Sequence, residues 1–239
     1  MINQNYFSKI DTEEKAYFLG LIYADGNITG NIFQILLAEE DSDVLEVLKN
    51  RIKPEGNLNY YDRKNIKWKN CKRFSIHNKF IVNDLNYWGV IERKTYSELS
   101  IPKIDESLIR HFIRGFLDGD GFISFTESNY KKKDGYTNYC VRKVVGFTNS
   151  SKKLLEEISN ILEKKLEIAA GKFYNTNGTG STINSYSLWF FRTKDLTKII
   201  DYLYKDATIF FKRKYEKAKI CMLTPREIRE LTGSYPRNA

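Results

Sequence analysis

The sequence predicts an α+β protein made of two similar halves, each with the order helix, two strands, helix, two strands, helix. Three observations predict this architecture. Residues 16–26 recur in recognisable form as residues 111–121. Each copy is followed by strand-like alternation and then by an amphipathic helical stretch. Each half also closes with a similar basic pair, Arg93-Lys94 and Arg213-Lys214. An internal repeat of this kind indicates a duplicated unit.

Hydrophobic periodicity assigns the individual elements. In the first half, residues 33–37 and 73–76 alternate as strands do, and residues 44–52 place their apolar side chains on one helical face. The second half repeats this with strands at 122–126, 139–148 and 186–192 and a helix at 154–162. We therefore expect repeats at residues 1–98 and 106–224, a linker at 99–105 containing Pro102, and a loosely held tail at 225–239.

The composition of the chain favours some classes of function and argues against others. The formal net charge is +9, which favours an anionic partner, most often nucleic acid. No apolar run is long enough to span a membrane, and no targeting signal opens the chain, so we expect an intracellular protein without a membrane partner. Three separated cysteines argue against a disulfide framework or a thiolate zinc site. With only His77 and His111, chemistry that depends on histidine triads or clusters is disfavoured.

The repeated helix carries a stripe of small residues. Gly20 and Ala24 are four positions apart, as are Gly115 and Gly119, so each pair shares one helical face. Glycine inside a helix costs about 1 kcal/mol relative to alanine, and a close approach of the two repeated helices would explain that cost. We therefore expect these four residues at a helix interface.

An aspartate followed by glycine ends each stripe, at Asp25 and Asp120. The glycines, Gly26 and Gly121, suit a left-handed helix C-cap. A carboxylate is unfavourable at the negative end of a helix dipole, and two such ends crossing would bring like charges together. A lone Asp-Gly pair would indicate only turn chemistry. The matched pair instead indicates a divalent cation, and hard oxygen ligands favour Mg²⁺, the chemistry of metal-assisted phosphodiester hydrolysis.

Residues 18–26 (FLGLIYADG) and 113–121 (IRGFLDGDG) resemble the two motifs of single-chain LAGLIDADG homing endonucleases. The resemblance implies that Asp25 and Asp120 are the metal-binding catalytic acids, with Ala24 and Gly119 beside them at the metal site. It implies Mg²⁺ as cofactor, which Mn²⁺ or Ca²⁺ can replace for binding. It also implies cleavage of both DNA strands across the minor groove, leaving 3′ overhangs.

The same resemblance places a basic residue near each scissile phosphate. Lys94 and Lys214 match that position, and Lys212 is an alternative to Lys214. The motifs differ where an acid often precedes the catalytic one, because the first has Tyr23 and the second keeps Asp118. That earlier position points about 200° away from the catalytic acid on the helix, so the difference affects the chemistry little.

In this family two saddle-shaped antiparallel sheets lie in the DNA major groove. Strand alternation predicts polar side chains on the DNA-facing surface, and we assign Gln34, Arg73, Ser75, Ser124, Thr126, Asn138, Arg142 and Arg192. Basic clusters at the hairpin tips would contact phosphates: Arg63, Lys64, Lys67, Lys69 and Lys72 in the first half, and Lys131, Lys132 and Lys133 in the second.

Two different halves in one chain predict a monomer that binds a long, asymmetric double-stranded target. The predicted function is a site-specific DNA homing endonuclease. Two alternatives of the same fold remain, an RNA-splicing maturase that binds intron RNA and a DNA-binding regulator that does not cleave. Neither needs both aspartates.

Overall fold

A computed structural model describes residues 1–53, 55–61, 70–131, 137–176 and 184–233. The first half comprises α1 (Glu13–Asp25), β1 (Gly26–Thr29), β2 (Ile32–Ala38), α2 (Ser42–Ile52), β3 (Asn59–Tyr61), β4 (Cys71–His77) and α3 (Lys79–Tyr87). The second comprises α4 (Glu106–Asp120), β5 (Gly121–Lys131), β6 (Thr137–Asn149), α5 (Lys152–Leu166), β7 (Lys172–Asn175), β8 (Tyr186–Phe190) and α6 (Thr193–Tyr204), followed by α7 (Lys212–Met222) and α8 (Pro225–Thr232). The predicted α+β class and repeated element order are confirmed.

Each half contains one antiparallel four-stranded sheet, and the two sheets have the same strand order. The orders are β1-β2-β4-β3 and β5-β6-β8-β7. The registers also match, because Gly26 pairs with Ile35 in the first sheet and Gly121 pairs with Phe147 in the second. One face of each sheet packs its apolar side chains into a core that the two halves share. We call the opposite face the outer face.

The two repeated helices, α1 and α4, begin with similar caps. The side chain of Thr12 accepts a hydrogen bond from the backbone N–H of Lys15, and the side chain of Asp105 accepts one from that of Ser107. Such caps satisfy backbone donors that have no partner inside the helix. Residues 16–23 of α1 and 111–118 of α4 are buried, and the two helices pack directly against each other.

The glycines that follow these helices differ from the expectation. Gly26 and Gly121 have φ angles of −73° and −100°, so neither is a left-handed cap. A Cβ atom at Gly26 would lie 2.6 Å from the carbonyl oxygen of Ile22, and one at Gly121 would lie 2.6 Å from that of Leu117. Glycine is required because the chain turns directly from helix into strand against its own preceding turn.

Two element ends also differ from the expectation. Strand β8 ends at Phe190, and Arg192 is instead the N-cap residue of α6, where its carbonyl accepts the first hydrogen bonds of the helix. The expected loose tail is a helix over Pro225–Thr232, with a capping box between Thr224 and Glu227 and a fully buried Ile228. In the described part of the chain, no helix is long and apolar enough to cross a membrane.

Candidate active site and nucleic-acid interface

Helices α1 and α4 touch through their backbones. A Cβ atom at Gly20 would clash with the carbonyl oxygen of Phe112, and one at Gly115 would clash with that of Tyr17. The two clashes are reciprocal, as expected for a contact between repeated elements. The glycines therefore remove the side chains that would otherwise hold these helices apart.

One turn further on, the C-terminal ends of the same helices meet. A Cβ atom at Gly119 would clash with Cβ of Ala24 and lie 2.8 Å from Oδ2 of Asp25. The carboxylate of Asp25, which ends α1, thus lies against α4 beside Asp120. The structure brings together acids that are far apart in the sequence.

The electrostatics of this pair show the cost of the arrangement. Although Asp25 keeps contact with solvent, atoms of both helices crowd it, and this desolvation together with the negative charge of Asp120 raises its pKa to about 7. Desolvation also raises the pKa of Asp120, opposed by the positive charge of Lys94 and a hydrogen bond from Asn149. Catalytic and metal-binding sites commonly contain neighbouring carboxylates whose pKa values are raised.

Lys94 caps the C-terminal end of α1. Its ammonium nitrogen, Nζ, donates hydrogen bonds of 2.7 Å to three backbone carbonyls, those of Ile22, Tyr23 and Ala24. A cation is favourable at this end of a helix and partly offsets the unfavourable position of Asp25. Desolvation lowers the pKa of Lys94 to about 8, against the opposing charges of Asp120 and Asp25.

Lys214 caps α4 in the same way. Its Nζ donates to the carbonyl oxygens of Leu117 at 2.7 Å, Asp118 at 2.5 Å and Gly121 at 2.6 Å, with a long contact of 3.5 Å to Gly119. Burial lowers the pKa of Lys214 to about 8, partly opposed by the charge of Asp118. Lys94 and Lys214 therefore hold equivalent positions on the two halves.

The alternative lysine, Lys212, points elsewhere. It is exposed and pairs with Asp43 of the first half at 2.7 Å. The next residue, Arg213, binds the buried Asp41 with a contact of 2.9 Å. These two residues attach α7 to the start of α2, and Lys214 alone of the three reaches the motif.

Asn149 is a site residue that sequence reasoning missed. Its Nδ2 donates a hydrogen bond of 3.1 Å to Oδ2 of Asp120, while its Oδ1 accepts from the backbone N–H of Ser151. A cleft of about 300 Å³ opens here, and its walls include Ala24, Lys94 and Asp120 as well as Asn149. The sequence signal was weak, because an asparagine before Ser150-Ser151 reads as an ordinary helix start.

The residue two positions before each motif aspartate, Asp118 or Tyr23, is buried in both halves. Asp118 accepts hydrogen bonds from the hydroxyl of Tyr17 at 2.7 Å and the backbone N–H of Phe211 at 2.8 Å, and burial raises its pKa to about 6. Its counterpart Tyr23 donates to the carbonyl oxygen of Trp88 at 2.5 Å. Both residues connect the motif helices to surrounding structure.

Some of the oxygen atoms at this site are suitable ligands for a hard divalent cation. Two carboxylates with mutually unfavourable charges are suitable ligands for Mg²⁺, which usually keeps several waters. The carbonyl of Ala24 already accepts from Lys94, but a carbonyl has a second lone pair, and that of Gly119 receives only the long contact. Among the described residues there is no group of three or more His, Cys, Asp or Glu side chains around a common point.

The outer faces of the sheets carry most of the polar residues assigned from strand alternation. In the first sheet Gln34 pairs with Ser75, and Arg73 stacks over the ring of Tyr61 with 4.7 Å between guanidinium and centroid. In the second sheet the outer face presents Ser124, Thr126, Asn138 and Arg142. The exposed members of this set are Ser124, Thr126 and Arg142.

The basic residues assigned to phosphates, and Arg192 of the outer-face set, are placed differently. Lys72 is half-buried on the core side of β4, because it alternates with Arg73 and pairs with Leu37. Arg192 is exposed but lies beyond the end of its strand. Lys131 ends β5. The remaining basic residues of the two tips, Arg63, Lys64, Lys67, Lys69, Lys132 and Lys133, lie outside the described residues.

Comparisons with known proteins agree with the fold. The protein-family model described as a LAGLIDADG-like domain matches residues 107–202. No curated protein sequence matches the chain. Among solved structures, the meganuclease I-SmaMI bound to uncleavable DNA is 17% identical and has a TM-score of 0.60, with 97% of this chain and 99% of that chain covered.

Two further structures are similar over nearly the full length. I-SmaMI bound to an uncleaved DNA target in the presence of calcium ions is 16% identical with a TM-score of 0.59, covering 94% of this chain and 97% of that one. The I-LtrWI LAGLIDADG homing endonuclease bound to target DNA is 16% identical with a TM-score of 0.56, covering 99% of both chains.

These matches define the fold of the protein. The chain has the fold of single-chain LAGLIDADG homing endonucleases, with two pseudo-symmetric repeats. Its second repeat matches the LAGLIDADG-like domain, and the family resemblance predicted from the two motifs is confirmed.

Proposed function

We propose that this protein is a site-specific, metal-dependent DNA homing endonuclease that acts as a monomer on a long, asymmetric target. The observation that carries the proposal is the meeting of Asp25 and Asp120 at the C-terminal ends of two helices whose backbones touch. This arrangement is costly without a cation, and each half adds a sheet whose outer face presents polar side chains.

Each residue at the centre has a role under this proposal. Asp25 and Asp120 hold Mg²⁺, with Mn²⁺ or Ca²⁺ able to replace it for binding, and the carbonyls of Ala24 and Gly119 are additional ligands. A bound Mg²⁺ would stabilise negative charge on the scissile phosphates and supply activated water. Asn149 keeps the carboxylate of Asp120 oriented towards the shared centre.

Lys94 and Lys214 supply positive charge at both helix ends. Their ammonium groups cancel the negative potential of the backbone carbonyls there, so that a polyanion can approach. One lysine and one aspartate then serve each DNA strand, and cleavage across the minor groove would leave 3′ overhangs.

DNA binding would use the outer faces and the basic tips. Gln34, Arg73, Ser75, Asn138 and Arg142 are candidates for base contacts, because their side chains carry hydrogen-bonding groups suited to the major groove. Lysines and arginines of the tips would contact phosphates and set the salt dependence of binding. The comparisons lend no support to intron RNA as a partner.

The proposal is tested on DNA with the full chain. A plasmid library carrying randomised long inserts is incubated with protein and Mg²⁺, and linear products are sequenced at their ends. We expect one preferred sequence, cut on both strands with 3′ overhangs. Asp25→Asn and Asp120→Asn should each abolish linear product while still binding the selected site in Ca²⁺ buffer.

A matched control is Lys212→Ala, which alters a basic residue of the same helix that does not reach the motif. This variant should cut like the unmodified protein. Linear product from both aspartate variants at the unmodified rate would overturn the proposal. So would binding of DNA with no cleavage in Mg²⁺ or Mn²⁺, which would favour the non-cleaving regulator.

A further inference from the structure

The matching registers of the two sheets allow their outer faces to be compared position by position. One row crosses β1, β2 and β4 in the first sheet and β5, β6 and β8 in the second. In the first sheet the row is polar and consists of Asn27, Gln34 and Ser75. In the second sheet the same row consists of Phe122, Gly146 and Trp189. The two halves thus present opposite chemistry at equivalent positions.

The aromatic row has a defined geometry. The rings of Phe122 and Trp189 pack edge to face with centroids 5.4 Å apart. A Cβ atom at Gly146 would clash with the Phe122 ring, which reaches across the middle strand. Gly146 therefore clears the space in which Phe122 lies against Trp189, and the pair behaves as one apolar element.

Two further rings extend this element. Tyr174 and Phe191 pack against Trp189 with centroid distances of 4.9 Å and 5.6 Å, and they are 39% and 40% exposed. Exposed apolar patches of this kind mark binding surfaces, and this patch shares the outer face with the polar residues Ser124 and Arg142. The indole nitrogen of Trp189 is buried, so the carbon faces of the rings are what a ligand would meet.

We propose that Phe122 and Trp189 form an apolar specificity element that selects thymine at one position of the DNA half-site beneath the second sheet. Thymine is the base whose major-groove edge carries a methyl group, and apolar side chains recognise it by contact with that methyl. The equivalent polar row of the first sheet would read a purine edge through Gln34. This inference rests on the proposed DNA-binding function and adds the base that one residue pair reads.

The experiment uses binding in Ca²⁺ buffer, so that cleavage is not the readout. The preferred site is selected from randomised duplexes with the full chain. Each thymine of the second half-site is then replaced singly by deoxyuridine, which removes only the methyl group. At one position we expect binding to weaken about fourfold, the effect of losing one buried methyl contact.

Variants of the protein test whether Phe122 and Trp189 cause this preference for thymine over deoxyuridine. The double variant Phe122→Asn and Trp189→Ser should bind thymine and deoxyuridine duplexes equally at that position. Gly146→Ala, which displaces the ring without deleting it, should reduce the discrimination. The matched control Gln34→Ala should keep the discrimination and change preference only in the first half-site.

The outcomes separate the two proposals. If no duplex is enriched by the selection, the DNA-binding function itself fails. If a site is enriched but deoxyuridine binds as well as thymine at every position of the second half-site, this inference is overturned and the proposed function stands. Retained discrimination in a folded double variant would also overturn it, and the deoxyuridine comparison requires no variant to fold.

Discussion

The carboxylate of Asp25 lies directly against the position where Gly119 of the other motif helix has no side chain. A Cβ atom there would stand 2.8 Å from Oδ2 of Asp25 and would clash with Ala24. The glycine that permits helix contact and the acid proposed to hold the metal are therefore parts of one arrangement. Any change in helix spacing at this point moves the proposed metal ligands.

Gly119→Ala should accordingly impair both stability and cleavage. We expect a loss of about 1 to 3 kcal/mol in unfolding free energy, the usual cost of overpacking a tight contact, measured by urea denaturation. Adding Ala24→Gly should restore part of that loss, because it removes the atom that the new methyl group meets. A Gly119→Ala protein that is as stable and active as the original would contradict the described contact.

The pKa of Asp25 predicts how stability depends on pH in the absence of metal. The folded-state pKa of about 7 lies above the ordinary value of 3.8, so the carboxyl group favours the unfolded state increasingly as pH rises between these values. Asp25→Asn removes this effect. Since Asp25 is in contact with solvent and screened, we expect the variant to be more stable by about 1 kcal/mol at pH 8.

The measurement is denaturation in EDTA at pH 8 and near pH 4, where the difference should largely vanish. Binding of Mg²⁺ to the unmodified protein, followed by calorimetry, should weaken as pH falls below 7, because protons compete for the same oxygens. Equal stability of the two proteins at pH 8 would show that neither desolvation nor the charge of Asp120 disfavours the Asp25 carboxylate in the folded protein.

The two capping lysines should differ in their structural cost. Lys214→Ala removes a buried ammonium that serves several carbonyls, and we expect a loss of about 2 to 3 kcal/mol in unfolding free energy. Lys94→Ala affects a half-buried group and should cost about 1 kcal/mol. Lys212→Ala removes only an exposed ion pair and should cost less than about 0.5 kcal/mol. Thermal denaturation of the three variants tests this order of stability losses.

Cleavage rates of these variants separate a structural from a chemical role. Under the proposed function, both capping variants lose rate on pre-bound DNA, and Lys212→Ala does not. If Lys94→Ala were folded, bound DNA normally and cut at the unmodified rate, its role would be confined to the helix end.

Asn149→Ala should make the cleavage rates of the two DNA strands unequal. The hydrogen bond from Asn149 orients only Asp120, because the equivalent position of the first sheet is Leu37. We expect cleavage of one strand to slow about tenfold, the lower end of the usual effect of losing a residue that orients a metal ligand, with nicked DNA accumulating on strand-labelled substrate. Equal slowing of both strands would argue against this assignment.

Much of the fold was available in local patterns. Strand alternation placed Gln34, Ser75 and Ser124 on the outer face, because side-chain direction in a strand depends only on position along it. Helical periodicity likewise put Gly20 with Ala24 on one stripe and Gly115 with Gly119 on another. Lys72 shows the limit of composition, since it belongs to a basic cluster but alternation turns it to the core side.

The sequence by itself determined the repeated αββαββα order, the small-residue stripes and the two aspartates that end them, since each depends on neighbours a few residues apart. Only the tertiary structure decided that Lys214 and not Lys212 reaches the motif, that Asn149 orients Asp120, and that Gly26 and Gly121 avoid a clash instead of adopting a left-handed cap. The aromatic row of Phe122 and Trp189 was also decided there. These features depend on contacts between segments far apart in the chain, which no local periodicity encodes.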